Sequence, residues 1–89
     1  MDLNELRQDI DKIDEELVKL FVKRMELSKA VADYKAKQGL AVLNQAREDE
    51  VLDKISTVAG EKFANQAREL YNKLFAISRS YQEDVLKRK

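Results

Sequence analysis

The chain begins with its most informative stretch, Leu3 to about Gln38, which reads LNELRQDIDKIDEELVKLFVKRMELSKAVADYKAKQ. Counted in heptads from Leu3, nine of the ten a and d positions hold apolar or aromatic residues, and the stretch contains no Gly or Pro. This pattern predicts one long helix with an apolar seam along its whole length. The tenth position is Arg24. A cation inside an apolar seam is costly unless a carboxylate of the protein or a ligand pairs with it.

The length of this helix predicts that two copies of the chain pack together. About 36 helical residues at ~1.5 Å each make a rod of roughly 54 Å. A compact domain of 89 residues has a radius of gyration of only about 12 Å. Because the apolar seam continues along the overhanging part, another chain must cover it, and we expect an intertwined helical homodimer. The alternative is a long helix that is covered by its own chain and has a frayed end.

The composition predicts a single all-α domain over residues 1–89, with no Pro and only two Gly. The absence of Cys and His excludes disulfides, thiolate chemistry and His-based catalysis or metal ligation, and no metal site is expected. Seventeen basic and seventeen acidic residues balance without a block of like charge, so neither nucleic acid nor a membrane surface is expected as a partner. No run resembles a leader or a membrane span, and we expect a cytoplasmic protein.

Helix boundary signals divide the chain into three helices in the order long, short, long. Gly39 is expected to end the first helix, and Asn44 is a good N-cap for the second. Gly60 is expected to end the second helix, and the third is predicted from about Lys62 to Lys87.

Polar residues interrupt the apolar faces of the second and third helices. Glu48 lies on the apolar stripe of the second helix, and Ser78 and Gln82 lie four residues apart on that of the third. Glu48 can be a solvated edge residue or part of a site. Ser78 and Gln82 can bond to the backbone or to each other in a core, or face a ligand.

Basic residues of the first helix predict an anion site. Arg24 and Lys35 are eleven residues apart, which places them within roughly 20° on one face and some 16 Å apart along the axis. Two such side chains can hold opposite ends of a small anion. Arg7 lies roughly 42 Å from Lys35 along the rod. It reaches this site only from the second chain of an antiparallel pair.

The predicted pocket contains several cations, one carboxylate and two neutral hydrogen-bonding groups. Its remaining walls are expected to come from Arg47, Glu48, Ser78 and Gln82. Such a pocket suits a small dicarboxylate, because Arg binds carboxylates through two parallel hydrogen bonds. It has no obvious nucleophile, so any chemistry must work by holding a conformation and stabilising developing charge.

With these residues in place, the chain resembles the all-helical, type II chorismate mutases. These include stand-alone enzymes and mutase domains fused to prephenate dehydratase or prephenate dehydrogenase. The resemblance covers nearly the whole chain, and the order and spacing of the segments make it specific. The matching segments are Leu6-Arg7, Ile13 to Leu17, Leu20 to Arg24, Glu26-Leu27, Lys35, Arg47-Glu48, Ser78 and Gln82.

The resemblance implies an isomerase of the shikimate pathway that converts chorismate to prephenate without a cofactor, on the route to phenylalanine and tyrosine. It implies that Lys35 and Gln82 are the catalytic residues, both donating hydrogen bonds to the ether oxygen of the substrate. It also implies that Arg24 and the partner subunit's Arg7 hold the two carboxylates, with help from Ser78.

The same resemblance assigns substrate-binding roles to the start of the second helix. Glu48 is implied to take the ring hydroxyl of chorismate, and Arg47 to support the site. Asn44 is a departure, since many relatives carry Asp there. The amide still caps the helix, but one negative charge near the hydroxyl side of the site is lost.

Two alternatives to the mutase remain. An isochorismate–pyruvate lyase shares this fold and a related site, and pyruvate release from isochorismate distinguishes it. A non-catalytic helical dimerisation or ligand-sensing module is the other, and it should tolerate loss of the Lys35 side chain without loss of function. The closer match to the fused mutase domains favours the mutase.

Overall fold

The structure is a computed structural model that describes residues 1–88, and it contains three helices. These are α1 (Leu3–Gln38), α2 (Gln45–Ala59) and α3 (Ala64–Lys87). No strand occurs within the described residues. The all-helical, long–short–long architecture predicted from the sequence is therefore confirmed. None of the helices in this part of the chain is long and apolar enough to cross a membrane.

The ends of α1 and of α2 lie where the sequence predicts them, because their capping residues behave as expected. The Asp2 side chain accepts a hydrogen bond from the Glu5 backbone nitrogen at 2.8 Å, which caps the start of α1. Gly39 ends α1 in the left-handed region with φ of 68°, a conformation that costs a glycine little. Asn44 caps α2, and Gly60 follows its last residue.

Helix α3 begins at Ala64, two residues later than the predicted start at Lys62. Residues 61–63 form a turn instead, in which the Phe63 backbone nitrogen donates to the Gly60 carbonyl at 3.2 Å. No side chain caps the helix at Phe63, so nothing in this segment supports an earlier start. The start predicted at about Lys62 is therefore two residues early, because Phe63 continues the apolar pattern of α3 although it belongs to the turn.

The three helices form a thin, elongated layer in which α1 and α2 each pack against α3. The Cα atoms span 54 × 27 × 14 Å, and the radius of gyration is 16.1 Å. That radius exceeds the roughly 12 Å expected for a compact domain of this length. The buried apolar residues are few: Ala32, Leu52, Phe75 and Val85.

The first half of α1 is not covered by the rest of the chain. Every residue from Met1 to Leu20 is exposed. The nine apolar seam residues along α1 are all exposed, from 44% at Leu6 and Val31 to 66% at Leu27. A wide groove of about 770 Å³ between α1 and the first half of α3 continues this surface, lined by residues such as Ile13, Leu17 and Leu74. An exposed apolar surface of this extent is typical of an interaction site.

Candidate active site

A cavity of about 340 Å³ lies where the second half of α1, the start of α2 and the second half of α3 meet. Helix α3 supplies the shared wall, since it packs against both of the other helices. Seven of the eight predicted site residues line this cavity: Arg24, Lys35, Asn44, Arg47, Glu48, Ser78 and Gln82. The helix pattern predicted six of these residues and the family resemblance added Asn44; the fold brings all seven together, although their roles toward a substrate stay predictions.

The charge of the cavity favours an anion. Four cationic side chains line it, from Arg24, Lys35, Arg47 and Arg79, against the single carboxylate of Glu48. Four positive charges minus one negative charge give the lining a formal charge of +3. Apolar side chains of Leu27, Val31, Val51 and Phe75 also line the walls. Charges are more effective in such partly apolar surroundings than in open solvent.

Arg24 packs against two aromatic rings rather than against a carboxylate. Its Cζ atom lies 5.7 Å from the ring centroid of Tyr71 and 5.8 Å from that of Phe75. The two rings meet edge to face, with centroids 6.1 Å apart. Within residues 1–88 no carboxylate forms a salt bridge with Arg24. The cation is stabilised by the ring faces, and its hydrogen-bonding groups remain available to a ligand.

Lys35 ties the end of α1 to the loop that leads into α2. Its Nζ atom donates a hydrogen bond to the Val42 carbonyl oxygen at 2.6 Å. An ammonium group has three hydrogens to donate, so two remain for a molecule in the cavity. The bond also holds a half-buried, flexible side chain in one place, which reduces the entropy lost when a ligand binds.

The first turn of α2 places two predicted residues at the edge of the cavity. The Oδ1 atom of Asn44 accepts a hydrogen bond from the Arg47 backbone nitrogen at 3.1 Å, which confirms the predicted N-cap. The Arg47 guanidinium forms a salt bridge with Glu50 on the outer surface, where the two side chains are 64% and 71% exposed. Arg47 therefore lies at the rim rather than in the interior of the site.

Glu48 forms a salt bridge with Arg79 of α3, and the Glu48 side chain is only 16% exposed. The alternative that Glu48 is a solvated edge residue is therefore wrong. Sequence analysis missed Arg79, which looks like an ordinary surface arginine. A signal was present, because Arg79 follows the buried Phe75 by four residues and precedes Gln82 by three, so it borders the same helix face.

Ser78 and Gln82 belong to a buried hydrogen-bond chain that also includes Ser28 of α1. The Gln82 Nε2 atom donates to the Ser78 Oγ atom at 3.0 Å, and the Ser28 and Ser78 hydroxyl oxygens lie 2.8 Å apart. All three residues are 7% exposed. The alternative in which Ser78 and Gln82 bond to each other is correct, yet both also line the cavity. Ser28 was missed, although it follows Arg24 by one helical turn.

Arg7 is the predicted site residue that the fold does not bring to the cavity. It lies in the exposed first part of α1 and is absent from the cavity lining. This position agrees with the prediction that Arg7 of one chain cannot reach the site of the same chain.

The fold and the cavity define an all-helical protein with a cationic site suited to a small anion, and comparison with known proteins identifies its family. The family described as chorismate mutase type II matches residues 6–83. The chain therefore belongs to the type II chorismate mutase family. A search of solved structures returned no significant match.

Three relatives illustrate the similarity. The chain is 41% identical to a bifunctional chorismate mutase/prephenate dehydratase of Aquifex aeolicus over 61% of its own length and 15% of the relative. It is 37% identical to the T-protein of Haemophilus influenzae over 97% of its length and 19% of that protein. It is 36% identical to a chorismate mutase of Methanocaldococcus jannaschii over 66% of its length and 60% of the relative. The chain thus matches less than a fifth of the first two relatives and three fifths of the third.

Proposed function

We propose that this chain is a chorismate mutase, an isomerase that rearranges chorismate to prephenate. The observation that carries this proposal is the single cavity in which seven of the eight residues predicted to bind or convert the substrate come together. Membership of the type II chorismate mutase family supports it. Chorismate is a dicarboxylate, and a lining with four cationic groups and one carboxylate complements its two negative charges.

The first contribution to catalysis is conformational. The reaction is an intramolecular Claisen rearrangement that passes through a chair-like arrangement, which the substrate mostly avoids in water. Arg24, from inside the cavity, and the partner subunit's Arg7 would each hold one carboxylate. Holding both ends of the molecule selects the reactive conformation. The substrate then gives up its conformational freedom on binding, and this entropy loss no longer contributes to the activation barrier.

The second contribution is electrostatic. Negative charge grows on the ether oxygen as the carbon–oxygen bond breaks. Lys35 and Gln82 line the cavity and carry hydrogens that can be donated to this oxygen. A well-placed donor of this kind contributes about 3 kcal/mol, by comparison with oxyanion holes. No covalent intermediate is required, which agrees with a lining that lacks a nucleophile activated by a base.

The remaining polar groups would orient the ring of the substrate. Glu48 would accept a hydrogen bond from the ring hydroxyl, with its carboxylate held in position by Arg79. Arg47 and Asn44, at the rim of the cavity, would support this side of the site. The amide of Asn44 stands where many relatives carry a carboxylate. Glu48 is therefore the only acidic residue among those that line the cavity.

We also propose that the working protein is an intertwined homodimer in which Arg7 crosses the interface. The support is the exposed seam of α1, whose apolar residues remain uncovered in a layer only 14 Å thick. A second copy of the chain offers the same heptad pattern and can cover this seam along its whole length. An antiparallel arrangement of the two long helices brings the start of one toward the middle of the other, where the cavity lies.

The test of the proposed function is product identification with the purified chain. Chorismate and isochorismate are supplied separately, and prephenate, pyruvate and salicylate are measured. A mutase forms prephenate from chorismate and releases no pyruvate from isochorismate. Pyruvate release would establish the lyase, and binding of dicarboxylates without turnover of either substrate would establish a ligand-sensing module. No observation in the structure or among the relatives favours these two alternatives.

A further inference from the structure

The hydrogen-bond chain that joins α1 to α3 has a defined direction. The Ser28 Oγ atom donates its one hydrogen to the Arg24 carbonyl oxygen at 3.0 Å. In the 2.8 Å contact between the two serine hydroxyls, Ser78 must therefore be the donor. The Ser78 hydrogen is then used, so the Ser78 oxygen must accept from the Gln82 amide, at 3.0 Å. The donor in each hydrogen bond is thus determined by the direction of the bond before it.

This direction determines which end of the Gln82 amide faces Ser78. The nitrogen must face the serine, because only the nitrogen can donate. One of its two hydrogens is used in this bond. The other is not bonded within the described residues and remains for a ligand, since Gln82 lines the cavity. The carbonyl oxygen, Oε1, is buried and has no hydrogen-bond partner among the described residues. If the amide turned over, its carbonyl oxygen would face Ser78, and the contact could be kept only if Ser78 donated to this oxygen instead of to Ser28.

We propose that Ser28 is a positioning residue that prevents the Gln82 amide from turning over. By accepting the hydrogen of Ser78, Ser28 stops Ser78 from donating to the carbonyl oxygen of the amide. Gln82 is thereby held with its nitrogen fixed beside Ser78 and its second hydrogen directed to the ether oxygen of the substrate. This inference rests on the proposed function for the role of that hydrogen, whereas the orientation of the amide can be measured without any substrate.

The kinetic test is a double-mutant cycle with Ser28→Ala and Gln82→Ala. Ser28→Ala alone should lower kcat about two- to tenfold, the effect of one lost hydrogen bond of ordinary strength, and should change KM little. In the Gln82→Ala background the same change should lower kcat no further, because the residue through which Ser28 acts is gone. An equal loss of kcat in both backgrounds, or no loss in either, would overturn the proposal.

Ser56→Ala is the matched control. The Ser56 hydroxyl also donates to the carbonyl oxygen one turn earlier, that of Leu52, at 2.8 Å, and accepts from a side chain of α3, Arg68, at 3.0 Å. Ser56 does not line the cavity. Its replacement should therefore leave kcat and KM unchanged while removing a comparable pair of hydrogen bonds.

The second measurement is the side-chain amide signal of Gln82 in a nitrogen-15 NMR spectrum, assigned by its loss in Gln82→Ala. The amide hydrogen that is bonded to Ser78 should exchange slowly in the wild type and in Ser56→Ala. In Ser28→Ala the chemical shifts of the amide should move and the exchange of this hydrogen should accelerate. An unchanged signal in a folded Ser28→Ala protein would overturn the positioning role. A wild type with no prephenate formation would overturn the proposed function, whatever the signal of Gln82 does.

Discussion

Glu48 of α2 and Arg79 of α3 form a salt bridge that joins their helices at the wall of the cavity, with side chains 16% and 34% exposed. Replacing Arg79 with Met retains much of the side-chain volume but leaves the Glu48 carboxylate without its partner. We expect the free energy of unfolding to fall by about 1–3 kcal/mol, the cost of an unpaired and partly buried charged group. We also expect KM to rise severalfold, since Glu48 is no longer oriented toward the substrate hydroxyl. Denaturant unfolding and steady-state kinetics measure the two effects.

Glu50→Gln provides the control for this prediction. It breaks the Arg47–Glu50 salt bridge, which lies one turn away on the outer surface, with side chains 64% and 71% exposed. An exposed pair of this kind contributes less than about 1 kcal/mol, so stability and kinetics should both stay close to those of the wild type. An Arg79→Met protein that behaved like Glu50→Gln would show that the partly buried Glu48–Arg79 salt bridge has no functional role.

Arg24 should be required for activity but not for stability. In Arg24→Leu, an apolar residue replaces the cation in the seam, and the lost contacts with Tyr71 and Phe75 are worth only about 0.5–1 kcal/mol each. We expect the melting temperature to be unchanged or raised, and substrate binding to be lost. Arg24→Lys keeps the charge but not the two parallel hydrogen bonds of the guanidinium, and it should retain only part of the activity. A strongly destabilised Arg24→Leu protein would mean that Arg24 has a structural role.

Because residue 82 carries an amide, we expect the activity of the wild type to depend little on pH. An amide donates hydrogen bonds at any pH, so kcat of the wild type should stay flat from mildly acidic to mildly alkaline conditions. In Gln82→Glu the carboxyl group can donate to the ether oxygen only while it is protonated. The activity of that variant should be low at neutral pH and increase as the pH falls, which pH–rate profiles of the two proteins will show. A steep acid optimum in the wild type would contradict the assigned role.

Mixing two inactive variants tests whether Arg7 crosses the dimer interface. Arg7→Ala lacks the residue supplied to the partner, and Lys35→Ala lacks a residue of its own cavity. After unfolding and refolding together, half of the dimers should be mixed, and one of the two sites in each mixed dimer should be complete. Activity should then recover to about a quarter of the wild-type value. No recovery, from mixtures shown by mass to contain mixed dimers, would mean that both residues act within one chain.

The sequence was sufficient to predict helices, since the signals for them are local. The ends of α1 and of α2 follow from Gly39, Asn44 and Gly60, whose conformations or side chains stop or start a helix by themselves. The start of α3 was misplaced because Phe63 carries no capping side chain and belongs to a turn. Apolar periodicity does not distinguish a helix from a turn that continues the same pattern.

Site residues could be predicted from the sequence only where they share one face of a single helix. Arg24 and Lys35 share a face of α1, so their convergence on one cavity followed from helix geometry. Ser28 and Arg79 were missed, because their importance depends on contacts between helices, with Ser78 and with Glu48. The register between two helices depends on how their side chains interlock, and periodicity along a single helix does not contain it.

In the proposed mechanism, the protein converts chorismate to prephenate and Lys35 stabilises the charge that develops on the ether oxygen. This role is tested most directly by measuring chorismate loss and prephenate formation with the wild type, Lys35→Ala and Lys37→Ala. Lys37 is an exposed lysine near the same end of α1 and lies outside the cavity lining. We expect turnover in the wild type and in Lys37→Ala, and a loss of about a hundredfold or more in a folded Lys35→Ala protein. No prephenate from the folded wild type, or equal rates with and without the Lys35 side chain, would contradict the account.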